Sequence, residues 1–314
     1  MLALACPASL KGVLSAREAA AALAGGLRRG GADAEELPVA DGGEGTLDVL
    51  SVALGGEWRE ALVSDPLGRE VRARWLLLDS GIAAIESAEA VGLGLVGEGE
   101  RDVLRGSSRG LGELIHAAMD TEPAELVVFL GGTATVDGGR GLLEVLGGFR
   151  MPARAACDVR SPLIDAVRVF ARQKGATTEQ IGELERRVLG MEALEPFAEL
   201  PGAGAAGGLG AALAALGAEL VPGAPFVLDL IGFPERVRGA DLVVTGEGTV
   251  DRSTWMGKAP SAVADACGEA GVRCSIFGGC VSERPDGVEL YELSGDPALA
   301  REDLAALGRR LAHT

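Results

Sequence analysis

Short apolar runs alternate with amphipathic stretches of helical length at both ends of the chain. Residues 2–6, Leu2-Ala3-Leu4-Ala5-Cys6, form an unbroken apolar run, the pattern of a strand buried on both faces. Residues 15–29 carry apolar positions at helical spacing, with Ser15 as N-cap and Glu18 in the reciprocal capping position. Residues 37–40 predict the next strand and residues 46–54 the next helix. The final third returns to this rhythm: a strand over 242–245, a helix over 259–270, strands over 273–277 and 289–293, and a closing helix over 301–311. Strand, helix and strand at this spacing predict a parallel sheet.

The middle has another texture. Residues 71–78 and 82–87 predict two paired strands about the turn Asp79-Ser80-Gly81. A helix over 110–119, a strand over 126–130 and a helix over 141–146 follow, then a charged helix over 179–188 and an Ala/Leu-rich one over 209–220. Like ends and an unlike middle predict an α/β fold of two domains. One is a discontinuous Rossmann-like parallel-sheet domain built from residues 1–60 and 235–314; the other is an α/β domain inserted over residues 61–234.

Composition narrows the function. A chain of 314 residues suits two cores better than one. The formal net charge of −17 argues against nucleic acid and anionic membranes as partners. It leaves room for a phosphorylated ligand held by local cations. With only His116 and His313, a Ser-His-Asp site or a multi-histidine metal site is nearly excluded. Five cysteines without a C-x-x-C pair read as reduced thiols of a cytoplasmic protein. Residues 1–6 lack a basic region and run into Pro7, so they read as a strand and not as a signal peptide. Residues 200–218 carry no charge, but their Gly and Ala content is too weakly hydrophobic for a bilayer helix.

Candidate chemistry lies in three glycine-rich acidic loops, each after an apolar run: Asp41-Gly42-Gly43-Glu44-Gly45-Thr46, Gly131-Gly132-Thr133-Ala134-Thr135-Val136-Asp137-Gly138-Gly139, and Thr245-Gly246-Glu247-Gly248-Thr249-Val250-Asp251. An apolar run, then glycines, then a helix is how α/β proteins build phosphate sites at strand ends. In the second loop the small residues Thr133, Ala134 and Thr135 after Gly131-Gly132 can turn successive N–H groups toward a phosphate. Asp41, Glu44, Glu247 and Asp251 supply carboxylates for magnesium or proton transfer, and stacked acids at strand ends are unfavourable without such a role. The competing reading makes Asp41, Asp137 and Asp251 helix caps or turn formers. Asp158 is a further carboxylate at the end of an apolar stretch. Lys11 and Lys258 are the ammonium groups best placed for phosphate, whereas Lys174 reads as a solvated surface lysine.

Familiar nucleotide fingerprints fail. Gly202-x-Gly204-x-x-Gly207 has the dinucleotide spacing but no strand before it, and Gly257-Lys258 lacks the remaining residues of a P-loop. A different resemblance runs through almost the whole chain in order. Ser9-Leu10-Lys11-Gly12, Pro38-Val39-Ala40-Asp41-Gly42-Gly43-Glu44-Gly45-Thr46, Gly131-Gly132-Thr133-Ala134-Thr135, Cys157-Asp158-Val159, Gln173-Lys174-Gly175-Ala176, the glycine-rich segment from Pro201 to Gly210, Thr245-Gly246-Glu247-Gly248 and Gly257-Lys258 resemble the bacterial glycerate kinase family. The sequence departs from that pattern at Ala8, where Asp is common, at Val136, where Asn is common, and at Ala171-Arg172; it is shortened between Gly148 and Ala156 and after Leu163.

The resemblance implies ATP-dependent phosphorylation of glycerate, usually at the 2-hydroxyl, with Mg2+, in a two-domain α/β fold whose site lies in the cleft. On that footing the Gly131–Thr135 backbone and Lys11 or Lys258 contact phosphate, and magnesium lies with some of Asp41, Glu44, Glu247 and Asp251. Asp158 or Asp137 accepts the hydroxyl proton, and Arg69 and Arg140 are candidates for the glycerate carboxylate. Two alternatives stay open: a kinase for another small hydroxy acid, or a non-catalytic ligand-binding homologue. A homodimer is compatible with either. Of the three loops, the second is expected to be the phosphate cradle. The first and third share Gly-Glu-Gly-Thr and are expected to form similar turns on one sheet.

Overall fold

The computed structural model describes all residues from Met1 to Thr314. Its strands are β1 (Leu2–Pro7), β2 (Asp33–Glu36), β3 (Glu57–Ser64), β4 (Glu70–Leu77), β5 (Ile82–Glu86), β6 (Glu125–Leu130), β7 (Ala153–Cys157), β8 (Glu219–Pro222), β9 (Leu242–Val250), β10 (Arg273–Val281) and β11 (Glu289–Glu292). They form two sheets. The first has the order β11-β10-β9-β1-β2, and every neighbouring pair is parallel. The second has the order β3-β4-β5-β6-β7-β8; its β3–β5 part is antiparallel and the remainder parallel.

Chain order follows from this. The chain divides into two compact units: Met1–Asp41, Asp48–Ala53 and Ala224–Thr314 form one, and Gly42–Leu47 with Leu54–Gly223 the other. In the first unit the central strands β1 and β9 are buried and apolar through most of their length, as a sheet covered on both faces requires. The helix Ala16–Arg29 opens with the capping box predicted at Ser15 and Glu18 and buries Leu23 and Leu27 against the sheet core. The second unit packs Trp75, Ile85, Leu111, Leu114 and Val128 into its own cluster.

Four elements differ from the sequence reading. The second strand lies at residues 33–36, a polar Asp-Ala-Glu-Glu edge, and not at 37–40. Leu37 and Val39 still donate to the carbonyls of Ala5 and Pro7, so the extended backbone runs on past the strand. β3 went unread because only Val63 of its eight residues is fully buried, leaving no apolar alternation to detect. The Ala/Leu-rich helix ends at Ala215, and residues 219–222 are a strand. The Gly-Glu-Gly-Thr of the third loop is not a turn. It continues β9, with Gly246 paired to Pro7 on one side and Phe277 on the other. The first loop does turn, through Gly42 and Gly45 at positive φ, and it belongs to the second unit. The shared tetrapeptide thus takes two conformations, chosen by the neighbours each copy meets.

Candidate active site

The parallel strands of the second sheet end level with one another. Register pairs Glu86 with Phe129 and Leu130 with Cys157, so Ser87, Gly131 and Asp158 leave the sheet side by side. The second loop starts at this edge. Ser87 Oγ accepts from the Gly131 N–H at 3.2 Å and donates to the Gly131 carbonyl at 3.0 Å. The Ala134 N–H donates to Val91 O at 2.9 Å. Two of the N–H groups assigned to a phosphate cradle are therefore already occupied. Val136 is completely buried in the core of the unit.

The first loop reaches the same edge. A side chain at Gly131 would run into Gly43 Cα, 2.9 Å from where its Cβ would stand, so glycine is what lets the two loops touch. Glu44 lies against Gly132. Behind it the buried carboxyl of Glu86 accepts from the Leu47 N–H at 2.7 Å, which caps the start of the helix Thr46–Leu54. Glu86 ends an apolar strand without any motif around it, and the sequence reading passed over it.

Asp137 is committed to structure. Its Oδ2 accepts from the N–H and the hydroxyl of Ser108, both at 2.8 Å, and from the Gly141 N–H at 3.1 Å, while Oδ1 accepts from the Gly139 N–H at 3.0 Å. One carboxylate thereby satisfies donors at the starts of two helices, Arg109–Met119 and Arg140–Val145. Four donors already occupy the oxygens of this carboxylate. The capping reading describes this residue.

In the first unit a cavity of about 430 Å³ opens where β1, β9 and β10 end, lined by Lys11, Glu247, Asp251 and Lys258 among others. Its volume lies within the range of small-molecule sites. Lys11 is exposed at its rim, in the loop that follows β1. Lys258 Nζ stands 3.7 Å from Glu247 Oε2, and the Thr254 hydroxyl donates to Glu247 Oε1 at 2.7 Å. Burial raises the pKa of Glu247, and the charges of Asp41 and Asp251 add to that rise, against the pull of Thr254 and Lys258. Asp251 is shifted the other way, below the ordinary carboxylate range, because the hydroxyl and N–H of Ser253 bond to it. Asp41 and Asp251 thus both act on Glu247 in the first unit, whereas Glu44 belongs to the second. No three His, Cys, Asp or Glu side chains converge closely enough to form a ready-made metal site.

A model of the glycerate kinase family matches residues 3–151 and 149–301. The chain belongs to the glycerate kinase family. It is 38% identical to the glycerate kinase of Bacillus subtilis (strain 168), with 90% of this chain and 86% of that one covered. Identity to the glycerate 2-kinase of Escherichia coli (strain K12) is also 38%, over 82% of this chain and 80% of that one. A crystal structure provisionally assigned as glycerate kinase 2 from Salmonella typhimurium LT2 shares the fold with a TM-score of 0.87 at 32% identity, covering 100% of this chain and 97% of the other. The enzyme class and the α/β fold expected from the sequence are those of this family. The two matched segments meet at residues 149–151, inside the stretch read as shortened.

Against the family pattern three residues need reassignment. Lys174 is no surface lysine. It follows a helical segment that passes through a π turn at Ala166–Phe170, and its ammonium donates to Thr133 Oγ1 at 3.0 Å and to Thr135 O at 2.8 Å. Burial pushes its pKa down from the ordinary 10.5 to about 7, opposed by the charge of Asp137. The sign of its importance was its place in Gln173-Lys174-Gly175-Ala176, one of the strings shared with the glycerate kinase family. Arg69 is taken up by Asp65, Glu100 and the Leu95 carbonyl. Arg140 is exposed and donates to Arg187 O at 3.3 Å. Neither guanidinium is held ready for a carboxylate. The glycines that mimicked a dinucleotide fingerprint serve packing: Gly207, at φ 76°, lies against the Thr135 carbonyl, and its own carbonyl accepts from the Gly138 N–H at 3.1 Å.

Proposed function

We propose that this protein transfers the γ-phosphoryl group of ATP to the 2-hydroxyl of glycerate, giving 2-phosphoglycerate and ADP. The observation that carries the reading is the cavity of the first unit, where Lys11 and Lys258 meet Glu247 and Asp251 at the ends of parallel strands. Phosphoryl transfer asks for positioning and charge neutralisation more than for covalent chemistry. Two ammonium groups supply the positive field, and in the glycine-rich loop the N–H groups of Gly132, Thr133 and Thr135 remain as backbone donors for an anionic group. Kinship with the glycerate 2-kinase of Escherichia coli supports the position of transfer.

Magnesium fits the acids present. Burial and two like charges already oppose the ionisation of Glu247, and a divalent cation offsets that cost. Mg2+ in such sites takes one or two carboxylates and completes its shell with phosphate oxygens and water, so a preformed cluster is not required. Glu247 and Asp251 would hold it, with Asp41 and Glu44 as further candidates; when bound it neutralises charge on the phosphate oxygens. Asp158, at the end of β7 beside Gly131, is the better base. It takes the hydroxyl proton as the new O–P bond forms and the bond to the departing ADP oxygen breaks.

The test is a coupled ADP-release assay with glycerate and Mg2+. Turnover with glycerate is expected, and Asp158→Asn is expected to lower kcat about 100-fold with little change in KM. Phosphorus NMR of the product distinguishes the 2- from the 3-phosphate. A panel of hydroxy acids in the same assay covers the alternative substrate, and binding of ATP or glycerate without any ADP formed would favour the non-catalytic reading.

A further inference from the structure

We propose that Lys174 is the positioning residue of the loop Gly131–Asp137: its ammonium, inserted from the segment after Ala171–Gln173, holds Thr133 and Thr135 in the conformation that faces the substrate. The inference deepens the kinase reading and rests on it for its kinetic arm only.

Three observations converge. First, the two bonds span the loop, one to a side-chain hydroxyl and one to a main-chain carbonyl, so they fix both the rotamer of Thr133 and the peptide after Thr135. Second, the lysine is itself placed by an irregular helix. The sequence runs through Leu163–Asp165, a π turn at Ala166–Phe170 and Ala171–Gln173, and the Lys174 N–H closes onto the carbonyls of Phe170 and Ala171. Single π turns inside helices are frequent at functional sites. Third, nothing else replaces the contact. The hydroxyl of Thr135 is buried with no partner, and the other side of its carbonyl is covered by Gly207.

The charged groups facing this ammonium are few. Asp137 attracts it from the loop, while Arg101 and Asp102 share with it a small cavity lined also by Ala134. The loop is held most firmly while the ammonium is protonated, because an ammonium donates stronger hydrogen bonds than a neutral amine. With its pKa near 7, deprotonation begins in the neutral range. An anionic ligand arriving at the loop would draw the proton back, which couples ligand binding to proton uptake.

Lys174→Met keeps length and loses charge; Lys174→Arg keeps a permanent charge. Amide exchange reads the loop directly, because the Ala134 N–H is bonded to Val91 O across it. At pH 6.5 the Ala134 protection factor is expected to fall at least tenfold in Lys174→Met, with β6 unchanged. In the assay, wild-type kcat/KM for glycerate is expected to fall above about pH 7.5. Lys174→Arg should flatten that limb, and Lys174→Met should lose tenfold or more at pH 6.5 but much less at pH 9. Should Lys174→Met fail to fold, Lys174→Arg and the wild-type exchange profile between pH 6.5 and 9 carry the comparison. Protection factors and pH limbs within twofold of wild type in the variants would overturn the proposal. A wild-type protein with the expected exchange behaviour but no activity on glycerate would count against the kinase reading and leave this one standing.

Discussion

Single residues at the two strand-end edges show how environment sets chemistry. Lys174 has its ammonium pulled toward neutrality by burial behind the second loop, whereas Lys258 meets the carboxylate of Glu247. The consequence for stability has a definite sign. Between about pH 7 and pH 10.5 the unfolded chain holds a proton on Lys174 that the folded chain has released, so stability rises with pH across that window and the cost of burial is fully felt below it. Urea midpoints are expected to rise from pH 7 to pH 9.5 in the wild type, with a smaller slope in Lys174→Met; equal slopes would mean that the ammonium is not buried in solution. Sequence reasoning misjudged this residue because exposure is not written in local composition. For Asp137 the sequence offered a capping role beside the catalytic one, and the hydrogen bonds to its carboxylate accord with the capping role. Val136 shows the opposite case, a family-pattern departure that lands in the core.

Elements are held by local signals that sequence displays and by distant ones that it does not. The capping box pairs Ser15 with Glu18, three positions apart, and was read directly. The Asp137 carboxylate instead ties helices whose donors lie 29 residues back and four residues ahead. Asp137→Ala is expected to cost about 3 kcal/mol, since hydrogen bonds to a charged group contribute about 1.5–3 kcal/mol each and leave buried donors unsatisfied when lost. Denaturant unfolding measures this; a loss below about 1 kcal/mol would return Asp137 to the list of candidate bases. The two copies of Gly-Glu-Gly-Thr make the same point about conformation. Glycine permits either state, and strand partners on both sides of Gly246 draw one copy into the sheet.

At the scale of the molecule, charge is the dominant collective feature. A net charge of −17 sets acid against acid, and most of the ion pairs are at the surface, where each contributes little. Raising sodium chloride from about 20 to about 200 mM shortens the screening length to below about 10 Å, so the melting temperature is expected to rise by a few degrees. A fall would mean that the ion pairs outweigh the repulsion. Among the elements of the structure, no helix is long and apolar enough to cross a membrane.

The amino-acid sequence by itself determined the alternation of strands and helices, the helix start at Ser15, the hairpin about Asp79-Ser80-Gly81 and the glycine-rich loop that follows β6. It also carried the motifs by which the family is recognised. These are properties of neighbouring residues: periodicity, capping and turn chemistry act over a few positions. Tertiary structure alone decided that the first loop packs on the second sheet, that the third continues a strand, that Asp137 is captured by two helices, and that Lys174 reaches back 39 residues to hold the second loop. Each of those outcomes depends on burial and on partners far apart in the chain, and long-range pairing leaves no periodic trace for a single sequence to show.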